Sequence, residues 1–425
     1  MSKVKDAGLA AEGEKELEWA RTNMPVLAGI RQRFEREKPF KSMRIGVALH
    51  LEKKTGILLE TLKAGGAEVT ASSCNPLTTD DRVAAALAKK MEVYAWAEES
   101  KQEYDWCLEK VLDAKPHIVI DDGCDLIFLL HGKRKELLGN VLGGCEETTT
   151  GVRRLEAMER EGKLKMPVFA VNDAYSKFLF DNRFGTGQST VDAILRATNL
   201  LLAGKHVVVV GFGWCGRGIA DRMKGMGARV IVVEIGGSLG RATGEASGYH
   251  RGLEALYSGY EVMNIEQAAK VGDIFITATG NEHAIAAKHF GLMKDGAILA
   301  NAGHFDVEID VEGLGKMAKS KRRVKENVDE YVMRDGRKIY LLSEGRLVNL
   351  SRPSGQGHPA EIMDASFALQ ALCAERMAKQ GEIMKKGVHP VPFEDDEMVA
   401  RLVLEHHGVK LEPPTAEQKK YSESV

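Results

Sequence analysis

The sequence predicts an α/β protein: two doubly wound parallel sheets with a cleft between them, plus a small C-terminal tail. Three observations predict it. Short, continuously apolar, β-rich runs alternate with helical patterns along most of the 425 residues. That is the rhythm of parallel sheets covered on both faces. It runs once from residue 44 to 171 and restarts at 206. Glycine is frequent and proline scarce, 44 against 11, which suits many tight strand-to-helix turns and excludes collagen-like or proline-rich chains.

RIGVAL (44–49) reads as the first strand and 52–64 as the amphipathic helix after it. AEVT (67–70), MEVYAW (91–96), HIVIDDG (117–123) and PVFAV (167–171) complete the first series. A long helix over 187–203 connects it to the second. There HVVVVGFG (206–213), ARVIVVE (228–234), DIFITATG (273–280), GAILANAG (296–303) and KIYLLSEG (338–345) read as strands. An apolar helix near 360–377 then returns the chain to the first domain, and a polar tail follows with a helical pattern at 394–406. The expected division is 1–184 with 358–392, 185–357, and a tail of 393–425. The glycine-rich stretch 236–249 reads as a flexible surface loop.

Charge and composition narrow the function. Fifty-nine basic against 61 acidic residues leave a net charge of −2, which argues against a nucleic-acid partner. No apolar run reaches the roughly 18 residues of a membrane span, so no membrane partner is expected. Residues 1–20 are charged throughout and lack the apolar core of a secretory signal. The six cysteines are scattered without a CxxC pair, so neither a zinc ribbon nor a disulfide framework is expected. No metal is expected, and the compartment predicted is the reducing cytoplasm.

Gly211, Gly213 and Gly216 form a GxGxxG directly after the four-valine strand and directly before a helix. A second apolar strand ends at Glu234, 18 residues beyond the third glycine. These are the requirements of a Rossmann-like dinucleotide site: a tight turn, close approach of backbone to pyrophosphate, a helix N-terminus and an acid for the ribose diol. Glu234 would repel a 2′-phosphate, so NAD is the expected cofactor rather than NADP.

Polar residues gather where strands end, the place at which open α/β sheets bind ligands. His50 follows the first strand. Asp121, Asp122 and Asp125 follow the fourth. Glu146–Gly151 form a polar turn, and Asn172, Asp173, Lys177, Asp181 and Asn182 follow the fifth. In the second series His304, Asn349 and His358 lie after strands. Each has a bland reading. Asp173, Lys177 and Asp181 could be an exposed i, i+4 ion-pair ladder worth a few tenths of a kcal/mol per pair. His50 could cap a helix, and so could Asp121 and Asp122. Their common position facing one cleft favours a site.

NDAYSKFLFDNRFGTGQS, DDGCDLIFLLH, GGCEETTTGV, ANAGHFDVEID, EGRLVNL and GHPAEIMDASFA, in this order and spacing, resemble adenosylhomocysteinase, the NAD-containing S-adenosyl-L-homocysteine hydrolase. The likeness runs from EWARTNMPVL to EQKKY and is to the short form of the family, common in archaea and some bacteria. It implies a nucleoside thioether substrate, oxidation of the ribose 3′-hydroxyl by bound NAD, removal of the C4′ proton, elimination of homocysteine, addition of water and re-reduction. It also implies a homotetramer. Lys177 and Asp181 match the residues at the 3′-hydroxyl, with Lys177 a proton acceptor if burial lowers its pKa. Glu147 matches the glutamate on the ribose hydroxyls. Asp122 and His50 match the pair at C4′ and C5′, and His304 a histidine near the nicotinamide. Thr148, Thr149, Thr150, Asn182, Thr279 and Asn349 match contacts to NAD, with Gly280 and Asn301 beside them. His358 matches the histidine of a gate, and Met363 lies on the purine side.

The chain departs from the long form at several points. Glu52 and Lys54 stand at the purine end, where Lys54 offers a donor. An inosyl substrate is therefore the alternative, with Lys54 turned to solvent as the bland reading. A plain NAD-dependent dehydrogenase is a further alternative. Thr186 replaces a cysteine, and the 236–249 loop, inserted directly after Glu234, either touches the adenosine end of NAD or only lengthens a surface turn. SRPSGQGHP (351–359) is longer than the usual gate, and the chain ends at Val425 without the long form's C-terminal Lys/Tyr extension.

Overall fold

In a computed structural model, described over residues 2–237 and 246–424, each series of strands forms its own eight-stranded sheet. The first is built from β1 (Lys3–Val4), β2 (Arg44–Leu49), β3 (Glu68–Ser73), β4 (Glu92–Ala95), β5 (Ile118–Asp121), β6 (Gly143–Glu146), β7 (Pro167–Ala170) and, from far along the chain, β16 (Gly387–Pro390). Its order is β1-β4-β3-β2-β5-β6-β7-β16, parallel throughout. The second holds β8 (His206–Val210), β9 (Arg229–Val233), β10 (Glu261–Met263), β11 (Ile274–Thr277), β12 (Ala297–Asn301), β13 (Ala318–Lys325), β14 (Val328–Met333) and β15 (Lys338–Leu342). Its order is β10-β9-β8-β11-β12-β15-β14-β13, with β14 antiparallel to both neighbours.

The unbroken apolar runs follow from two-sided burial. Val207 and Val209 pack into one cluster, while Val208 and Val210 pack into another on the opposite face. In the first sheet Ile118 and Ile120 face one cluster and Val119 the other. A strand with water on one face would need alternate polar residues.

The helix Ala360–Gln380 buries its apolar side chains in the first sheet's core, so the chain does return there. Asp364, on that helix, accepts from the amides of Val26 (2.9 Å) and Leu27 (2.7 Å) at the start of the helix Pro25–Glu37. The connecting helix is shorter than the expected 187–203. It spans Thr186–Thr198 and stops because Asn199 turns left-handed and caps it through Leu195. No described helix is long and apolar enough to cross a membrane, and all six cysteine thiols are free.

Each strand order reverses once around its first central strand, between β2 and β5 and between β8 and β11. These are the crevices in which doubly wound sheets hold ligands.

Candidate active site

The ends of β2, β5, β6 and β7 and the ends of β8, β9, β11 and β12 line one cavity of about 1080 Å³. His50, Glu52, Lys54, Asp122, Glu147, Thr148, Thr149, Thr150, Lys177, Asp181 and Asn182 line it from the first half of the chain. Gly211, Gly213, Glu234, Thr279, Gly280, His304, Asn349, His358 and Met363 line it from the second. Two expected residues are absent from the wall. Gly216 and Asn301 sit behind it.

Asp121 and Asp122 split the two readings open for them. Asp121 is buried; its Oδ1 accepts from the Asp122 amide (3.0 Å) and its Oδ2 from the Ile127 amide (2.8 Å), capping the helix Asp125–His131. Asp122 enters the cavity through a turn in which Gly123 and Cys124 both take positive φ, 103° and 69°. A Cβ on Gly123 would lie 2.5 Å from His304 Nε2, so the approach needs glycine. Asp122 stands 3.5 Å from His50 Nε2 and 3.7 Å from His304 Nδ1. Thr78 donates to the Asn75 carbonyl and so accepts from His50 Nδ1 at 2.8 Å. That leaves the Nε2 lone pair of His50 facing Asp122. Burial, only partly opposed by Asp122, pulls the His50 imidazole down to about 4.

Lys177 and Asp181 are not an exposed ladder. Both are buried, while Asp173 alone is exposed. After the single turn Tyr175–Lys177 the chain widens into a π-helical segment, Phe178–Gly185, of the kind that often marks functional sites. Lys177 Nζ donates to Asn182 Oδ1 at 2.9 Å and lies 3.5 Å from Glu147 and 3.7 Å from Asp181. Burial works to lower the lysine's pKa, but Asp181, Glu147 and Asp122 outweigh it and hold it above its ordinary value. The expectation of a lowered lysine is therefore corrected: one ammonium serves three carboxylates. Burial alone would raise Asp181, yet Lys177 and His358 hold it low. Burial pushes Glu147 up to about 8 despite Lys177.

Sequence reasoning missed four residues here. Ser366 and Gln370, one turn apart on the helix Ala360–Gln380, bond Asp181 (2.9 Å) and Glu147 (2.6 Å). Two polar residues four apart in the otherwise apolar stretch ASFALQALCA (365–374) were the available signal. Thr78 orients His50, and Cys74 Sγ donates to Asp122 at 3.7 Å.

The second half supplies a dinucleotide cradle. Gly211 has φ +99°, and a Cβ there would meet the Ala278 carbonyl at 2.8 Å. A Cβ on Gly216 would lie 1.8 Å from the Gly211 carbonyl, so this glycine lets helix and turn touch rather than facing ligand. Gly213 is open, and the helix Trp214–Gly225 begins with no side-chain cap, leaving its amides for an anion. Glu234 accepts from the Phe212 amide (2.5 Å) and from Arg251 (3.0 Å). Glu308, buried and absent from the sequence reading, accepts from the amides of Thr279 and Gly280 and shapes their turn. Asn301 is fully engaged: its Nδ2 faces the carbonyls of Gly303, Phe305 and Gly345, which share its two protons, and its Oδ1 accepts from the Gly303 amide and the Thr277 hydroxyl. It supports the wall instead of contacting a cofactor. Asn349 donates to Ser189, and its buried Oδ1 has no partner, an acceptor waiting for a ligand's N–H. These features fit NAD.

His358 Nδ1 lies 2.9 Å from Asp181, and its Nε2 lies 3.3 Å from both Thr186 and Asn349. Thr186 also reaches Cys215 Sγ at 3.6 Å. Arg352, in the long SRPSGQGHP segment, is ion-paired with Asp80 of the first half.

At the purine end Lys54 does not turn to solvent. It is buried, with Nζ 2.7 Å from Glu52 Oε2 and donating to the Gln356 carbonyl at 2.9 Å. Glu52 Oε1 caps the helix Lys53–Ala64. The 236–249 stretch is partly a wall rather than surface: Gly236, Gly237 and Ala246 line the cavity beside Glu234. Gly248 opens the helix Gly248–Tyr257, and 238–245 lie outside the described residues.

A family model described as "S-adenosyl-L-homocysteine hydrolase, NAD binding domain" matches residues 182–355, and one described as "S-adenosyl-L-homocysteine hydrolase" matches 1–142. The chain is 57% identical over 424 residues to the S-inosyl-L-homocysteine hydrolase of Methanocaldococcus jannaschii, covering 100% of this chain and 99% of that one. It is 56% identical to the adenosylhomocysteinase of Pyrococcus abyssi (99% and 97% covered). To the adenosylhomocysteinase of Thermococcus kodakarensis it is 55% identical, with the same coverage.

Proposed function

Because this chain belongs to the S-adenosyl-L-homocysteine hydrolase family, we propose that its cavity carries out the reversible hydrolysis of S-adenosyl-L-homocysteine to adenosine and L-homocysteine. NAD is its cofactor, and when bound it supplies reversible hydride exchange at the ribose 3′ carbon. Gly211, Gly213 and the first amides of the helix Trp214–Gly225 would hold its pyrophosphate, Glu234 an adenosine ribose, and Asn349 Oδ1 the carboxamide N–H.

The chain's own residues do the proton chemistry. Lys177, kept charged by its carboxylate neighbours, donates to the 3′ oxygen and stabilises negative charge there. The hydroxyl proton passes instead to Glu147, whose affinity for a proton burial raises, while Asp181 stays ionised beside Lys177. Asp122 takes the C4′ proton, which is acidified while the neighbouring carbon is a carbonyl. His50, neutral with its Nε2 lone pair free, is the base for water entering at C5′. Ser366, Gln370 and Thr78 hold these groups in place. Closure of the two halves keeps other water from the keto intermediate.

One observation carries this reading. Asp122, between His50 and His304, shares a cavity with the Lys177 cluster and the glycine cradle. Plain hydride transfer needs no second base of this kind. Incubation with the thioether, assaying free thiol together with absorbance of reduced nicotinamide, tests it. Thiol without accumulating NADH is expected; stoichiometric NADH without thiol would make the protein an ordinary dehydrogenase.

The buried Lys54 favours a second reading, the same reaction on S-inosyl-L-homocysteine, because its ammonium suits the hypoxanthine oxygen. The family likeness further supports a cytoplasmic homotetramer. It also supports a substrate domain of 1–184 with 358–392, an NAD domain of 185–357 and an oligomerisation tail of 393–425. The helix Ala416–Glu423 in that tail buries none of its residues within the chain.

A further inference from the structure

Behind the cavity wall two carboxylic acids stand side by side, and neither lines the cavity. Asp121 ends β5, Glu146 ends β6, and the two are register partners across the parallel ladder. Both are fully buried. Asp121 is occupied, with one amide on each oxygen. Glu146 is used differently. Its Oε1 accepts two amides, Gly123 at 2.8 Å and Thr148 at 3.0 Å, while its Oε2 has no partner.

The owners of those amides matter. Gly123 follows Asp122, and Thr148 follows Glu147. A single oxygen therefore ties the loop carrying the C4′ base to the loop carrying the ribose carboxylate. Gly151 fixes that oxygen from behind: a Cβ there would lie between 2.1 and 2.5 Å from the Glu146 carboxyl group, so the acid packs against the first turn of the helix Thr149–Arg160. Burial and the neighbouring Asp121 and Asp122 push the Glu146 acid well above its ordinary range.

We propose that Glu146 is a positioning residue for the elimination step, holding Asp122 at the C4′ hydrogen by clamping the Gly123 and Thr148 amides without touching substrate. The inference rests on the hydrolase reading above. Misplacement of a catalytic group by about 1 Å costs on the order of a hundredfold in rate. Glu147 keeps Gln370 on its carboxylate and its own amide on the Asp121 carbonyl (3.0 Å), so loss of the clamp falls on C4′ chemistry more than on the Lys177 cluster.

The test uses the full-length, NAD-loaded protein with adenosine in D2O. Reduced-nicotinamide absorbance reads 3′ oxidation, and loss of the C4′ proton signal by NMR reads the base. Glu146→Ala, and Glu146→Asp as a milder second variant, are expected to slow C4′ exchange and the kcat of thiol release by about tenfold or more. KM for the thioether should stay within about twofold, and 3′ oxidation should persist. Glu146→Gln retains a carbonyl acceptor and is expected to restore both rates to within about threefold of the parent. Equal loss of oxidation and exchange, no loss in either the alanine or the aspartate variant, or failure of glutamine to rescue would each overturn the proposal. A parent protein that exchanges no C4′ proton with either adenosine or inosine would instead overturn the hydrolase reading.

Discussion

Lys54 and Glu52 form a buried ion pair, Nζ to Oε2 at 2.7 Å, on the wall of the substrate cavity. The pair presents one donor and one acceptor. Adenine offers a donor at position 6 and an acceptor at N1; hypoxanthine offers the reverse. Such a pair can therefore read either base, according to which partner faces position 6.

Replacing Lys54 by methionine removes the donor and keeps much of the volume. The loss in kcat/KM for S-inosyl-L-homocysteine is expected at about tenfold to a hundredfold, the range for a hydrogen bond to a charged group. The loss for the adenosyl thioether should be smaller. Steady-state kinetics on both purified thioethers measures the ratio, and equal losses would take Lys54 out of purine discrimination.

Asp122→Asn should separate the two halves of the reaction. Thiol release is expected to fall by about 10²–10⁴-fold, the usual worth of a positioned base. Reduction of nicotinamide by adenosine should continue within several-fold of the parent rate. Single-turnover absorbance decides it, and a matching collapse of nicotinamide reduction would contradict the assignment.

Gly216→Ala places a methyl group 1.8 Å from the Gly211 carbonyl. The turn must open and the cradle with it. The purified variant is expected to carry much less NAD than the parent. It should melt at a lower temperature, having lost the cofactor's stabilisation, which is about 4 kcal/mol at a thousandfold excess over Kd. Cofactor content after acid release and melting with and without added NAD provide the check.

Glu99 gives a pH-dependent prediction away from the site. Burial raises its carboxyl from the ordinary 4.5 to about 7. Between those values the unfolded chain ionises at this position while the folded chain keeps its proton. Its contribution to stability is therefore whole below pH 4.5 and gone above about 7, a change of about 3 kcal/mol. Glu99→Gln retains an Oε1 to accept from the Trp96 amide and carries no such proton. Relative to the parent, the variant should gain stability as pH rises from 4.5 to 7 and level off beyond. Denaturant titrations across that range test the slope.

Much of the fold was legible because apolar runs report two-sided burial directly. The four valines of β8 could hardly sit elsewhere, and GxGxxG followed by Glu234 needed only its strand and helix context. β6 was missed because its residues, Gly-Gly-Cys-Glu, carry no β signal; neighbours on both sides of the ladder impose the conformation. β13 was missed because exposed lysines and arginines on an edge strand read as solvent-facing coil. β14 was missed because Asp329 and Glu330 interrupt its apolar run; both are buried and paired with the basic residues of β13.

The site was legible where chemistry sits at strand ends, as at His50 and Asp122. It was not legible where function depends on charge counts assembled from distant segments. Lys177 shares its surroundings with Glu147 from another strand end, and Ser366 and Gln370 act on the same cluster from a helix nearly two hundred residues away. Local spacing says nothing of that sum, so the direction of the lysine's shift could not be read in advance. Asn301 fails for the opposite reason. Its type suits cofactor binding, but both amide protons and both lone pairs of Oδ1 are taken by its own neighbours, which leaves it no capacity for a ligand.

The chain crosses from one sheet to the other near residue 186 and crosses back before 360, and Asp181 and His358 meet at 2.9 Å where the two crossings come together. Asp181 thus holds Lys177 on one side and the start of the return crossing on the other, so a single carboxylate joins the proton chemistry to the seam between the sheets.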